Sequence, residues 1–171
     1  ALERVLRSGE VAAFIVEPVM ENIGICMPLP GYLEAVREIT QRYGTKLIFD
    51  EVKTGITAGW SGATGVLGVQ PDLVCLAKSI GGGLPLGAFG GTQECMDQIT
   101  SGKVLHLGTY NGNPLCMAAA RANLLSVWRG PEAATPARPP PSSTRPTPST
   151  ASSAQASTPV WFPDRPPHRT R

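Results

Sequence analysis

Three polar residues in this 171-residue sequence each follow directly on an apolar run. Glu17 follows Val11-Ala-Ala-Phe-Ile-Val16, Asp50 follows Leu47-Ile48-Phe49, and Lys78 follows Leu73-Val-Cys-Leu-Ala77. Short apolar runs bounded by turn residues read as buried strands, and in open α/β sheets ligands sit beyond the carboxyl ends of the strands. An amine and a carboxylate at neighbouring strand ends are the two groups that a pyridoxal phosphate site needs. In an apolar setting the amine can lose its charge and form a Schiff base, while the carboxylate keeps a ring nitrogen protonated. The same residues also admit a plain structural account, a solvated strand-end lysine and an aspartate that caps a helix or turn.

Competing chemistries find little support in the text. The glycines at 81–83 and 87–91 do not space as GxGxxG, and there is no GxxxxGK[ST], GxSxG or HExxH. With only His106 and His168 present, a histidine metal site or triad is poorly supplied, and no metal is expected. Cys26, Cys75, Cys95 and Cys116 are far apart with no CxxC pair, and several lie in apolar runs. They read as buried free thiols of a cytoplasmic protein. No stretch approaches the roughly 18 uncharged apolar residues of a membrane span, and Ala1-Leu2-Glu3-Arg4 shows no signal-peptide core. No membrane partner is expected.

The elements that must position these groups follow from the pattern. Strands are expected over 11–16, 47–49, 73–77 and 86–89, the last interrupted by Gly87 and closed by Gly90-Gly91. Between the first two, Pro30-Gly31 opens a segment with Leu33, Val36, Ile39 and Tyr43 on one face and Gly44 as its stop, an amphipathic helix. Strand, helix and strand in some forty residues predict a βαβ unit and a parallel sheet. Further helices are expected at 93–100 and 113–127, with Asn113 capping the second ahead of Pro114. Trp60, Tyr110 and His106 read as packing or loop residues.

The overall charge of +2 averages two unlike parts. Residues 129–171 hold 11 of the 17 prolines, six arginines and only Glu132 and Asp164 as acids, so this tail carries +4 and the body −2. The body therefore offers no charge argument for nucleic acid. The tail is Pro, Ser, Thr, Ala and Arg text that cannot bury enough apolar surface to offset its ordering entropy, and it is expected to lack fixed structure. Pro136-Ala-Arg-Pro139 and Pro163-Asp-Arg-Pro166 fit PxxP, which a proline-binding partner could read. Out-of-frame translation of a GC-rich gene would give the same composition, since Pro, Arg and Ala codons are GC-rich.

Three ordered motifs carry a family resemblance. They are Ile48-Phe-Asp50-Glu51-Val52-Lys-Thr54-Gly55, then Pro71-Asp72-Leu-Val-Cys-Leu-Ala-Lys78-Ser-Ile-Gly-Gly-Gly-Leu-Pro85-Leu-Gly87-Ala88, then Gly108-Thr109-Tyr-Asn-Gly112-Asn113-Pro114-Leu-Cys-Met-Ala118-Ala119. In order and spacing they resemble the signature of class III pyridoxal-phosphate-dependent aminotransferases, over roughly residues 10–127. Within that class the sequence is most similar to the glutamate-1-semialdehyde 2,1-aminomutase branch.

The resemblance implies a fold-type-I α/β large domain, in part, over 1–128. It makes Lys78 the Schiff-base lysine, Asp50 the partner of the pyridine nitrogen and Val52 a residue packed on the ring face. Thr109 would bind the cofactor phosphate of a neighbouring subunit, which implies a homodimer. Glu17 and Asn22 become substrate-side candidates, and Asn22 in place of a second Glu favours the aminomutase-like branch. Glu21 stands where the family usually has Gly, and Thr57-Ala58 where the branch commonly has an Arg. The implied substrate is an amino acid or amino aldehyde resembling glutamate-1-semialdehyde. The family's upstream phosphate-holding segment and C-terminal domain have no counterpart in these residues, so this chain alone is expected neither to bind cofactor tightly nor to turn over. The alternative reading is an inactive remnant, or a non-catalytic protein whose Pro-rich tail binds a partner.

Overall fold

The computed structural model describes residues 1–128 and 156–161. Its elements are α1 (Leu2–Leu6), β1 (Ala13–Val16), α2 (Tyr32–Arg42), β2 (Lys46–Asp50), α3 (Thr54–Thr57), α4 (Gly62–Leu67), β3 (Leu73–Leu76), β4 (Leu86–Gly91), α5 (Gln93–Thr100), α6 (Pro114–Ala122) and β5 (Ala156–Trp161). A tight 3-10 turn, Lys78–Gly81, joins β3 to β4, and a π-helical turn, Asn123–Val127, prolongs α6. The strands form one sheet in the order β1-β2-β3-β4-β5. β1, β2 and β3 are parallel, β4 is antiparallel to β3, and β5 is parallel to β4. The expected mostly parallel α/β sheet is thus present.

The alternation along β2 decides where the core lies. Leu47 and Phe49 have no exposure at all, whereas Lys46, Ile48 and Asp50 are half-buried on the other face. Successive strand residues point to opposite faces, so one face of β2 enters the cluster of Leu33, Val36, Val69 and Val74. α2 supplies Leu33 and Val36, one turn apart on its apolar stripe. A second cluster, Ile56, Ile80, Leu86, Ala88, Cys116 and Ala120, packs α3, the 3-10 turn and α6 against β4.

Several expectations need correction. The apolar run at 11–16 predicted a buried strand, yet Ile15 of β1 is 57% exposed and Ala13 is exposed, because β1 is an edge strand packed on one face only. Gly90 and Gly91 do not close β4 but belong to it. Gly91 pairs with Leu73, and a Cβ there would collide with the Asp72 carbonyl, so close backbone approach explains the glycine. The helix expected over 113–127 is regular only to Ala122. All four cysteines are free, but only Cys116 is buried, Cys75 and Cys95 are intermediate and Cys26 is exposed.

In the Pro-rich tail, where no fixed structure was expected, Ala156–Trp161 pairs with β4 from Leu86↔Ala156 to Gly91↔Trp161. Thr158, Val160 and Trp161 are strand-favouring types, and Pro159 is tolerated because β5 is an edge strand. The remaining tail residues and both PxxP stretches lie outside the described residues.

Candidate active site

The parallel register brings the predicted polar residues to one end of the sheet. Val16 pairs with Phe49 and Asp50 with Cys75, so Glu17, Asp50 and Lys78 all emerge at the carboxyl ends of β1, β2 and β3. Asp50 is half-buried, and its Oδ1 accepts the Val52 backbone N–H at 3.0 Å. That bond curls the chain as it leaves β2 and leaves the carboxylate further acceptor capacity. Cys75, its register partner, has its thiol pushed up by burial and, secondarily, by the Asp50 charge.

Lys78 leaves the sheet by a different device. Ala77 is extended, and Lys78 then turns to φ +48, the left-handed region that a non-glycine residue rarely enters. The turn is fixed from below by Ile80, buried in the cluster with Ile56 and Leu86. The Lys78 side chain itself is exposed. Of the two settings the sequence allowed this lysine, an apolar site or a solvated strand end, the described residues give the second.

Sequence reasoning passed over Glu51 as a functional residue. It is 2% exposed, between the half-buried Asp50 and Val52. Its carboxylate accepts the Thr54 hydroxyl at 3.0 Å, the Ala63 N–H at 2.6 Å, the Thr64 N–H at 2.9 Å and the Thr64 hydroxyl. Its own N–H donates to the Cys75 carbonyl at 2.9 Å. One residue thus ties α3 and α4 to the ends of β2 and β3. Gly62, at φ +61, faces the carboxylate where no Cβ would fit. The available signal was the acidic doublet itself, since adjacent residues at a strand end face opposite ways.

At the other end of the sheet Asp72 is nearly buried and takes both terminal nitrogens of Arg37 at 2.5 and 3.2 Å, with the Leu47 N–H at 2.7 Å. Burial alone would raise its carboxyl, but Arg37 and the Leu47 N–H outweigh that and hold it below its ordinary range. This set fastens α2 to the sheet.

Beyond Glu17, Asp50 and Lys78, the predicted residues Asn22 and Thr109 are not gathered at this sheet end. Asn22 is exposed in the loop closed by the Met20–Cys26 bridge, and Glu17 is half-buried at the end of β1. Thr109 is exposed in the turn before α6, with no described contact to Asp50 or Lys78. Asn113 caps α6 as expected, its Oδ1 accepting the Leu115 and Cys116 N–H groups at 3.1 and 3.2 Å with Pro114 next in line. His106 packs edge-on to Phe89 at 5.2 Å, and Trp60 and Tyr110 are exposed.

Residues 1–131 match the family model described as aminotransferase class-III. The chain is 54% identical over 119 residues to a glutamate-1-semialdehyde 2,1-aminomutase of Desulforudis audaxviator, an overlap of 69% of this chain and 28% of that protein. It is 56% identical over 121 residues to glutamate-1-semialdehyde 2,1-aminomutase 2 of Shouchella clausii, covering 70% and 28%. The chain therefore spans less than a third of the length of these curated relatives. Among solved structures, a glutamate-1-semialdehyde aminomutase of Pseudomonas aeruginosa, a lysine-to-alanine variant in complex with PMP, is similar at TM-score 0.65 and 36% identity, over 73% of this chain and 30% of that one. A β-phenylalanine aminotransferase of Variovorax paradoxus is similar at TM-score 0.68 and 38% identity, over 73% and 30%.

Proposed function

This chain belongs to the class-III aminotransferase family, and on that premise we propose that it is part of a pyridoxal 5′-phosphate enzyme that moves an amino group. The reading nearest to its relatives is a 2,1-aminomutase or transaminase acting on an amino acid or amino aldehyde. The observation that carries the proposal is the emergence of Asp50 and Lys78 from adjacent parallel strands at the same sheet end.

The residues present fit the cofactor. Asp50 keeps acceptor capacity beyond its one bond to the Val52 N–H, as a protonated ring nitrogen requires. Lys78 offers an exposed primary amine. When bound, pyridoxal 5′-phosphate supplies a carbonyl for amines and a ring that withdraws electrons.

The chain's own residues would act on that chemistry as follows. Asp50 would accept the pyridine N–H and hold the proton there. Val52, directed by the bond between its N–H and Asp50, would lie against the ring. Lys78 would hold the cofactor covalently and, once its amine is released, take a proton from the substrate Cα and return one. Thr109 would bind phosphate held by a second subunit of a homodimer, a role consistent with its exposure here. Glu17 and Asn22 would face the substrate.

The test is reductive trapping. The chain is incubated with excess pyridoxal 5′-phosphate, so that weak and transient binding is enough to be trapped, reduced with borohydride and mapped by peptide mass. Lys78 is expected to carry the label in preference to Lys46, Lys53 and Lys103. Even labelling of the four lysines overturns the assignment.

A further inference from the structure

Beyond the Asp50–Lys78 pair, one distant side chain takes hold of the lysine's own turn. The amide Nδ2 of Asn123 donates to the Ser79 carbonyl at 2.6 Å and lies 3.3 Å from the Ile80 carbonyl. These are the two residues directly after Lys78. Two local features let the amide reach them. α6 gives way at Asn123 to a π-helical turn, a rare widening that is frequent at functional sites. Gly82, at φ +58, lacks the Cβ that would stand 3.3 Å from that of Asn123.

The reason such a clamp is needed lies in Lys78 itself. A non-glycine residue in the left-handed region is strained and persists only where its surroundings over-determine it. Apolar packing of Ile80 on Ile56 and Leu86 fixes one side of the turn. Packing constrains position but not the orientation of peptide groups, whereas a donor bonded to two successive carbonyls does both.

We propose that Asn123 is a positioning residue for Lys78: by fixing the Ser79 and Ile80 carbonyls it holds the left-handed backbone that sets where the lysine side chain leaves the sheet. The proposal rests on the reading of Lys78 as the cofactor lysine.

The experiment compares the full chain with Asn123→Ala, Asn123→Asp and Asn123→Ser. Each is incubated with pyridoxal 5′-phosphate over a pH series and reduced with borohydride. The aldehyde condenses with an amine with loss of water, and hydride from borohydride reduces the C=N bond, so the label stays. The share on Lys78 is measured against Lys46, Lys53 and Lys103, together with hydrogen exchange of the Gly82 and Leu84 amides, which bond to the Ser79 and Gly81 carbonyls.

The Ala and Asp variants are expected to lose several-fold of the Lys78 share, to shift the pH midpoint of its labelling and to exchange faster at Gly82 and Leu84. The other lysines should keep their labelling. Asn123→Ser retains a donor and should recover part of the loss. Unchanged labelling and exchange in the Ala and Asp variants overturn the proposal, as does an equal loss at all four lysines that tracks unfolding. If the unsubstituted chain shows no preference for Lys78, the cofactor assignment fails, and the exchange rates, which need no cofactor, still decide whether Asn123 holds the turn.

Discussion

Asp72 and Asp50 stand at opposite ends of the β2–β3 pair, and their carboxylates have opposite surroundings. Asp72 is nearly buried and fully engaged by Arg37 and the Leu47 N–H, a closed set in which every bond joins one part of the fold to another. Asp50 is half-buried and, among the described residues, takes a single bond, from the residue two positions on. Glu51 sharpens the contrast, for it is next to Asp50 in sequence yet as closed as Asp72, with donors from α3 and α4. A carboxylate whose bonds are all internal stabilises the fold, whereas one with spare capacity at a strand end can act on something else.

Substitutions should separate the two kinds of region. The largest effect is expected from Glu51→Ala, which leaves the Ala63 and Thr64 N–H groups without their buried acceptor. A loss of about 3 kcal/mol is expected, since unsatisfied buried donors cost about 1–3 kcal/mol each and part is recovered by water; urea unfolding measures it. A loss below a tenth of that would place Glu51 with the open groups.

A smaller effect of opposite sign is expected at Lys78. Its side chain is exposed and its backbone strained, so Lys78→Gly should stabilise the fold by about 0.5–1 kcal/mol, the relief of a left-handed non-glycine residue less the entropy of an added glycine. A destabilised Lys78→Gly would mean that the lysine side chain supports the turn.

The same contrast explains what could be read in the sequence. α2 was legible because apolar periodicity and terminal signals agree, and Asn113-Pro114 marked the start of α6. Asp50 and Lys78 were legible because each directly follows an apolar strand. α3 and α4 carried no such signal: Thr-Gly-Ile-Thr and Gly-Ala-Thr-Gly-Val-Leu are short and glycine-bearing, and α4 is capped by Glu51 from twelve positions away. Asn123 was invisible for the same reason, its partners lying more than forty residues earlier. The exposure of Ile15 was hidden because an apolar run does not tell whether one face or both are covered, whereas the exposure of Lys78 agrees with the solvated strand-end account that the sequence also allowed.

The most direct measurement makes Asp50→Asn and Asp72→Asn in the same chain and follows both the unfolding free energy against pH and the trapping of pyridoxal 5′-phosphate at Lys78. Asp72 is held below its ordinary range in the folded state. The stability it contributes is therefore present above its unfolded pKa of about 4 and is lost as pH falls through the lower folded value. Asp72→Asn should accordingly lower stability at neutral pH and flatten its acid limb, while Lys78 keeps its share of label in the folded fraction. Asp50→Asn should leave stability nearly unchanged and remove the preference for Lys78. Loss of stability in Asp50→Asn as large as in Asp72→Asn, with the Lys78 preference intact, would contradict the account.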